Sequence, residues 1–304
     1  MSLNHAHTDK PGTQPSASFG SAFAIGAALN IIFVAVEVTY GLASHSTALL
    51  ADAAHNMGDV IGLLLAWGAY TLAKRSPNLR YTYGLGSTTV LAALANGMLL
   101  LIATGAILWE AVQRIAQPAP VEGGIVIIVA AVGIAINSVA AFLLARGKDL
   151  NIRSAFWHLA ADAGVSAGVV FTGIIIFYTG ASWADPVASI LISIAIVWST
   201  WGLFRQSIQL SLQAVPASID ISSIRSYLKG LLGVESVHDL HVWPISTSEA
   251  ALTAHLVMPV IPQNDLSHDI AEAMQKRFGI GHATVQIELP RDARKCHLEP
   301  DEVV

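Results

Sequence analysis

Six long apolar runs between residues 19 and 210 constrain the fold of this chain most strongly. A helix needs about 20 residues to cross the hydrocarbon core of a bilayer, where backbone groups must pair within their own segment. Only 12% of the 304 residues are charged, against about 25% in soluble domains. We therefore predict an integral membrane protein whose membrane domain, residues 19–215, is an all-α six-helix bundle in a lipid bilayer. The predicted spans are residues 19–42, 47–73, 84–115, 123–145, 154–178 and 184–210.

The loops between these spans differ in their basic residues. The basic positions are Lys74, Arg75 and Arg80 after the second span, and Arg146, Lys148 and Arg153 after the fourth. The opposite loops carry only Arg114, at a helix end. Because basic loops stay in the cytosol, both termini are expected there. Residues 1–18 are polar and lack a basic segment followed by a cleavage motif, so they are predicted to form a flexible cytosolic tail.

Three ionisable residues interrupt the second apolar run, LLADAAHNMGDVIGLLLAWGAY. His55 and Asp59 are four residues apart and Asp52 precedes His55 by three, so a helix projects all three from one face. The fifth run repeats the H-x-x-x-D spacing with His158 and Asp162. Two such helices packed face to face bring two imidazoles and two carboxylates together, a tetrahedral donor set that zinc favours.

Carboxylates inside a membrane carry an energetic cost that needs compensation. An isolated aspartate near a helix centre costs roughly 2.5 to 3.5 kcal/mol, so Asp59 and Asp162 require a cation or protons. Small residues beside the two polar stripes predict that the second and fifth helices approach closely. These residues are Gly58, Gly62, Gly164, Ala167 and Gly168.

Three further polar residues lie in the apolar runs. Glu37 in the first span and Asp185 at the start of the sixth are candidates for admitting ions or protons. Because Pro186 follows Asp185, the pair favours an N-cap of the sixth helix. Asn137 in the fourth span is interpreted as a hydrogen-bonding link between helices.

After residue 215 the sequence pattern changes to one typical of a small α/β domain. The predicted elements are a helix at 218–232, strands at 234–243 and 250–258, a helix at 265–278 and a strand at 283–289. The first helix places Ile221, Ile224, Leu228 and Leu231 on one face. This helix-strand-strand-helix-strand order predicts a two-layer cytosolic α+β domain over residues 216–290, followed by a tail at 291–304.

Histidines are dense in this second domain, since six of the 11 in the chain follow Pro216. Dense histidines are typical of metal-binding segments. Pairing of His241 or His238 with His255 and Glu288 would form a cytosolic metal site. A second candidate group comprises His282, Cys296 and His297, joined by His5 and His7 from the N-terminal tail.

Other protein classes fit the sequence less well. The net charge of −5 comes without a basic stripe, so no nucleic-acid partner is expected. The single cysteine excludes an internal disulfide. No glycine-rich phosphate loop and no H-E-x-x-H metalloprotease motif occur in the sequence, so we expect no enzyme. A metal-sensing membrane receptor is the alternative, because it would keep the cytosolic histidines without needing the paired intramembrane site.

The sequence resembles the cation diffusion facilitator family, and its bacterial-type members in particular. The motifs that carry the resemblance are LADAAHNMGD at 50–59, WHLAAD at 157–162, Asp185-Pro186, VHDLHVWPI, AHL and HATVQIE. The resemblance implies a homodimer that exports Zn²⁺ from the cytosol in exchange for protons as counter-ion, with Cd²⁺ and Co²⁺ as further candidates. The short loops and tails predict a bacterial plasma membrane. The resemblance also implies that His55, Asp59, His158 and Asp162 form the transport site, where the first histidine favours zinc over cadmium, manganese or iron. Our hypothesis for the mechanism is alternating access around this site.

The resemblance also implies cytosolic zinc ligands. His241, His255 and Glu288 match ligand positions in vertebrate relatives, whereas His238 and His255 match those of some bacterial members. Gln286 stands where those bacterial members have a ligating histidine, and Glu288 stands where they have aspartate. The bacterial pattern of ligands is therefore not reproduced in full.

Overall fold

The computed structural model describes residues 17–144, 150–260 and 265–290. Its membrane helices are α1 (Ala17–Ala43), α2 (Thr47–Ala73), α3 (Thr88–Ala116), α4 (Gly123–Leu144), α5 (Leu150–Thr179) and α6 (Ala184–Ser211). The last five contain apolar stretches long enough to cross a membrane, and α1 contributes a shorter apolar stretch, Asn30–Ala43, among the residues described. The six predicted helices are confirmed. Helix α3 begins four residues later than predicted, after a turn in which the Gly84 N–H donates to the Tyr81 carbonyl.

The helices and sheet divide into two compact units. The first contains the described residues of Met1–Val60 and Ile102–Val197, and the second contains Ile61–Leu101 and the described residues of Trp198–Val304. The predicted domain boundary at residue 215 stays a prediction.

Close helix packing in the first unit depends on glycines of α4 and α5. A Cβ atom on Gly123 would lie 2.7 Å from the Gly173 carbonyl oxygen, so a side chain there would separate α4 from α5. For Gly62, Gly164 and Gly168, the prediction that small residues bring α2 against α5 is wrong, whereas for Gly58 and Ala167 it stays a prediction. Cβ atoms on Gly164 and Gly168 would meet no described atom within 4 Å, and one on Gly62 would meet Asn96 of α3 instead. The rotation of each helix about its axis decides which neighbour a glycine faces.

Asp185 stabilises the start of α2 rather than the start of α6. Since α6 begins at Ala184, Asp185 lies inside its first turn, and the predicted N-cap role is wrong. The fully buried carboxylate accepts hydrogen bonds from Ser46 Oγ at 2.5 Å, from the Thr47 N–H at 2.6 Å and from Thr47 Oγ1 at 2.7 Å. Ser46 Oγ in turn accepts from the Leu49 N–H at 3.0 Å, as an N-cap does. Asp185 thus joins the first turns of α2 and α6.

Removal of this carboxylate is expected to destabilise the protein strongly. Asp185→Ala leaves the buried N–H of Thr47 and two hydroxyls without their charged acceptor, which costs at least about 3 kcal/mol. We expect a lower midpoint of thermal unfolding for the detergent-purified variant, followed by tryptophan fluorescence. Asp185→Asn keeps one acceptor oxygen, so its unfolding midpoint should lie between those of Asp185→Ala and the wild type. Equal midpoints for all three proteins would contradict the capping role.

The second unit contains the small α+β fold. It consists of α7 (Ile221–Lys229), β1 (Ser236–Pro244), β2 (Ala250–Val257), α8 (Leu266–Phe278) and β3 (His282–Glu288). The predicted order of elements is confirmed, with bounds that differ by a few residues. The sheet order is β1-β2-β3, with β2 antiparallel to β1 and parallel to β3. Ile224 and Leu228 of α7 and Met274 of α8 are buried against one sheet face, so the two predicted layers are present.

The opposite face of this sheet carries the polar residues. A bulge in β1 shifts the register between His238, which pairs with His255, and His241, which pairs with Thr253. Without a bulge, residues 238 and 241 would point to opposite faces, because side chains alternate along a strand. The register shift therefore brings both histidines to the face away from the helices.

The turn between β1 and β2 contacts the start of α3 within the second unit. Ser87 Oγ donates to the Ile245 carbonyl at 3.1 Å, and the Thr247 N–H donates to Thr89 Oγ1 at 3.0 Å. A Cβ atom on Gly86 would lie 3.0 Å from the same Ile245 oxygen, so a side chain at this position would crowd the turn. The turn and the start of α3 are thereby connected by hydrogen bonds between side-chain hydroxyls of Ser87 and Thr89 and backbone groups of the turn.

Candidate metal centres

Four ionisable side chains of α2 and α5 converge in the first unit. His55 Nε2 lies 3.2 Å from Asp162 Oδ1 and 4.0 Å from Asp59 Oδ2. His158 Nε2 lies 3.2 Å from Asp59 Oδ2 and 3.7 Å from Asp162 Oδ2. Each imidazole therefore faces both carboxylates, although the residues come from helices separated by about a hundred positions in the sequence.

These separations match the edges of a metal coordination polyhedron. In a tetrahedral zinc site with bonds of about 2.0 Å, ligand atoms lie about 3.3 Å apart. One ligand atom each from His55, Asp59 and Asp162 lies within 4.8 Å of the others. His158 stands further out, since its ring centroid is 6.2 Å from that of His55 and its side chain is 51% exposed. Asp162, at 6% exposure, is the most enclosed of the four.

Asp52 lies on the same polar face of α2 as His55 and Asp59, but it is not part of the cluster of four side chains. Its buried carboxylate accepts a hydrogen bond from Ser166 Oγ of α5 at 2.8 Å. The contact adds a second polar link between α2 and α5. The sequence pattern did not distinguish this role from that of a metal ligand.

Glu37 and Asn137 are both buried, with different surroundings. Glu37 Oε2 accepts a hydrogen bond from Asn56 Nδ2 at 2.9 Å, so the first span is linked to α2 beside the cluster. Within the described part of the chain, the side-chain nitrogen of Asn137 has no hydrogen-bond partner. The amide nitrogen therefore does not provide the predicted interhelical hydrogen bond, and for the amide oxygen that bond stays a prediction.

A second cluster lies on the outer face of the three-stranded sheet. Glu288 Oε2 lies 3.3 Å from His238 Nε2, and Glu288 Oε1 lies 3.0 Å from His255 Nδ1. Both ring nitrogens are buried and have no aligned hydrogen-bond partner among the described residues. The two nitrogens and the carboxylate thus converge without an aligned hydrogen bond between them, an arrangement that a divalent cation would satisfy.

His238, rather than His241, completes this group of three. His241 Nε2 lies 2.7 Å from Asp239 Oδ1, and its side chain is 46% exposed. Sequence reasoning missed Asp239, and it treated Gln286 only as a lost ligand. Gln286 Nε2 donates to Glu288 Oε1 at 2.8 Å and so holds that carboxylate in place.

The second candidate group is not assembled within the described residues. His282 begins β3, about 20 Å along the strand from Glu288 at about 3.3 Å per residue. Its exposed ring makes an edge contact with Tyr83 at 5.6 Å between centroids. The other members lie outside the described residues and are His5, His7, Cys296 and His297.

Two family models match the two parts of this chain. The cation efflux transmembrane domain matches residues 23–210, and the cytoplasmic domain of cation efflux proteins matches residues 216–290. The chain belongs to the cation diffusion facilitator family. Membership in this family makes it an integral membrane protein of metal cation efflux rather than a member of an enzyme class.

Full-length relatives of this cation diffusion facilitator come from several bacteria. The zinc transporter ZitB of Escherichia coli is 35% identical over 98% of this chain and 96% of its own. The metal cation efflux system protein CzcD of Cupriavidus metallidurans is 32% identical over 95% and 91%. A cadmium, cobalt and zinc/H⁺-K⁺ antiporter of Bacillus subtilis is 32% identical over 84% and 85%. The solved metal-bound C-terminal domain of CzcD is 32% identical and covers 23% of this chain and 100% of its own, with a TM-score of 0.22.

Proposed function

We propose that this protein exports Zn²⁺ from the cytosol in exchange for protons, with His55, Asp59, His158 and Asp162 as the transport site. The observation that carries the proposal is the convergence of two imidazoles and two carboxylates at separations of 3.2 to 4.0 Å. Neutral imidazoles and carboxylates in a tetrahedral set suit zinc. The relatives named as zinc transporters support the same substrate, and Cd²⁺ and Co²⁺ are further candidates because one relative is named for all three metals.

Proton coupling follows from the chemistry of these ligands. Zinc binds neutral imidazole and ionised carboxylate, so protons compete with the metal for the same lone pairs. When the site opens to the outside, arriving protons displace the zinc ion. When it opens to the cytosol, where the pH is higher, the ligands lose their protons and zinc binds again. Alternating access of this kind lets the proton gradient drive zinc export.

The protein is proposed to act as a homodimer in a bacterial plasma membrane, with both termini in the cytosol. The cytoplasmic domain that matches residues 216–290 and the bacterial relatives support this arrangement. The basic residues after the second and fourth spans support the orientation, because such loops stay in the cytosol.

The cytosolic cluster is proposed to bind zinc through His238, His255 and Glu288 and to regulate transport. Two buried ring nitrogens without hydrogen-bond partners among the described residues, both facing Glu288, support metal binding. The hydrogen bonds from the β1–β2 turn to Ser87 and Thr89 offer a route from the sheet to α3. Bound metal would favour the transport-competent arrangement of the dimer by fixing this sheet.

Transport by vesicles containing the purified protein tests the proposal. With an indicator enclosed and a pH difference imposed, Zn²⁺ flux is expected to exceed that of Mn²⁺ and Fe²⁺, because His55 provides an imidazole where carboxylate would suit these harder metals. The resemblance to the family implies that Zn²⁺ flux also exceeds Cd²⁺ flux. Empty vesicles are the control. Binding of zinc without flux above that control would contradict the proposal and would favour a metal-sensing receptor.

A further inference from the structure

Asp239 occupies an unusual backbone position in β1. Its φ angle is 51°, in the left-handed region, at the bulge between His238 and His241. Such a conformation costs a non-glycine residue about 1 kcal/mol, although aspartate and asparagine tolerate it better than most. The side chain lies beside two imidazoles, at 2.7 Å from Oδ1 to His241 Nε2 and 3.3 Å from Oδ2 to His255 Nε2.

His255 is therefore placed between two carboxylates. Its Nε2 atom faces Asp239, whereas its Nδ1 atom faces Glu288 Oε1 at 3.0 Å. A neutral imidazole has one N–H and one lone pair, so only one of its nitrogens can bind a metal. Nδ1 is the buried nitrogen that has no hydrogen-bond partner among the described residues. Placement of the proton on Nε2 lets the ring donate to Asp239 and directs the free lone pair toward Glu288 and His238.

We propose that Asp239 is a positioning residue that holds His255 in the Nε2–H form, so that Nδ1 is the metal ligand. The inference rests on the proposed cytosolic metal site and deepens it. Histidines that ligate metals commonly donate their other N–H to a carboxylate, which fixes the tautomer and the orientation of the ring. In this assignment His241 donates to the other oxygen of Asp239 and does not bind the metal. Gln286 likewise positions Glu288, because its Nε2 atom donates a hydrogen bond to that carboxylate.

Zinc affinity of the full-length protein tests this assignment. The parent protein carries Asp59→Asn and Asp162→Asn, which remove the intramembrane site. Competition for zinc with a chromophoric chelator then measures the zinc affinity of the cytosolic site. In that parent, Asp239→Asn is expected to weaken zinc binding about 10- to 100-fold, the usual effect of losing such a partner. Asparagine tolerates the same φ angle, so the backbone is kept while the anionic acceptor is lost. His241→Ala is expected to weaken binding less than His255→Ala.

Two measurements separate positioning from a merely structural role. The midpoint of thermal unfolding without metal should be equal for Asp239→Asn and the parent, and long-range ¹H–¹⁵N correlation with labelled histidine should place the metal on Nδ1 of His255. A lower metal-free midpoint, or metal on Nε2, would overturn the inference.

The affinities also distinguish failure of the inference from failure of the site. If His238→Ala and His255→Ala both bind zinc like the parent, the cytosolic metal site itself is wrong. If both lose binding while Asp239→Asn retains it, the site stands and the positioning role is overturned. The same conclusion follows if His241→Ala is as damaging as His255→Ala.

Discussion

Replacement of Asp162 by alanine is expected to lower zinc flux into proteoliposomes at least about 100-fold. Loss of a residue that only orients a metal ligand usually costs about 10- to 100-fold, and loss of a ligand itself should cost more. Asp162 is the most enclosed member of the α2–α5 cluster and faces both imidazoles, at 3.2 Å from His55 and 3.7 Å from His158. Its removal takes away one of the two carboxylates that compensate the charge of the metal. The measurement is initial flux at matched protein content.

Two further variants make this result specific. Asp162→Asn keeps the volume of the side chain and loses the negative charge, so it should also be inactive. Glu110→Gln changes a carboxylate of α3 that is 50% exposed and paired with Arg114, away from the cluster, and should transport zinc at the wild-type rate. Flux at the wild-type rate by Asp162→Ala would refute the transport-site assignment.

The sequence predicted which side chains share a face of α2 and of α5, because that pattern is local. His55 and Asp59 share a helix face by virtue of helical pitch alone, and His158 and Asp162 repeat the spacing. The contacts of Asp185 could not be predicted in the same way. Its partner Thr47 lies 138 positions earlier in the chain, so the local sequence around residue 185 does not predict the contact.

The cytosolic cluster shows a different limit of sequence reasoning. Strand alternation places His238 and His241 on opposite faces, so the sequence left open which of them accompanies His255. The bulge brings both to one face, and the separations then favour His238. The only local signal is an aspartate, a residue that tolerates positive φ, at the position where the register shifts.

An imposed pH difference is expected to accumulate zinc against its gradient in proteoliposomes. One pH unit corresponds to about 1.4 kcal/mol for each proton exchanged. If protons compete with zinc for its ligands, each proton exchanged per metal ion therefore supports about a tenfold ratio of zinc concentrations across the membrane for every pH unit. Exchange of two protons would support about a 100-fold ratio. The measurement is the steady-state zinc ratio as a function of pH difference, with equal K⁺ and valinomycin on both sides to remove the membrane potential.

The slope of that relation distinguishes proton exchange from other driving ions. In a second set of vesicles, a lipophilic cation at equal concentration on both sides replaces K⁺ and valinomycin, so that the membrane potential stays at zero. These vesicles should give the same dependence on pH, whereas a requirement for K⁺ would implicate K⁺ as a counter-ion, as in the name of the Bacillus subtilis relative. Asp162→Asn vesicles should show no pH-driven accumulation, because the lone pairs for which zinc and protons compete are altered. A zinc ratio that is independent of the pH difference in the wild type would exclude proton coupling, while the metal-binding geometry of α2 and α5 would still stand.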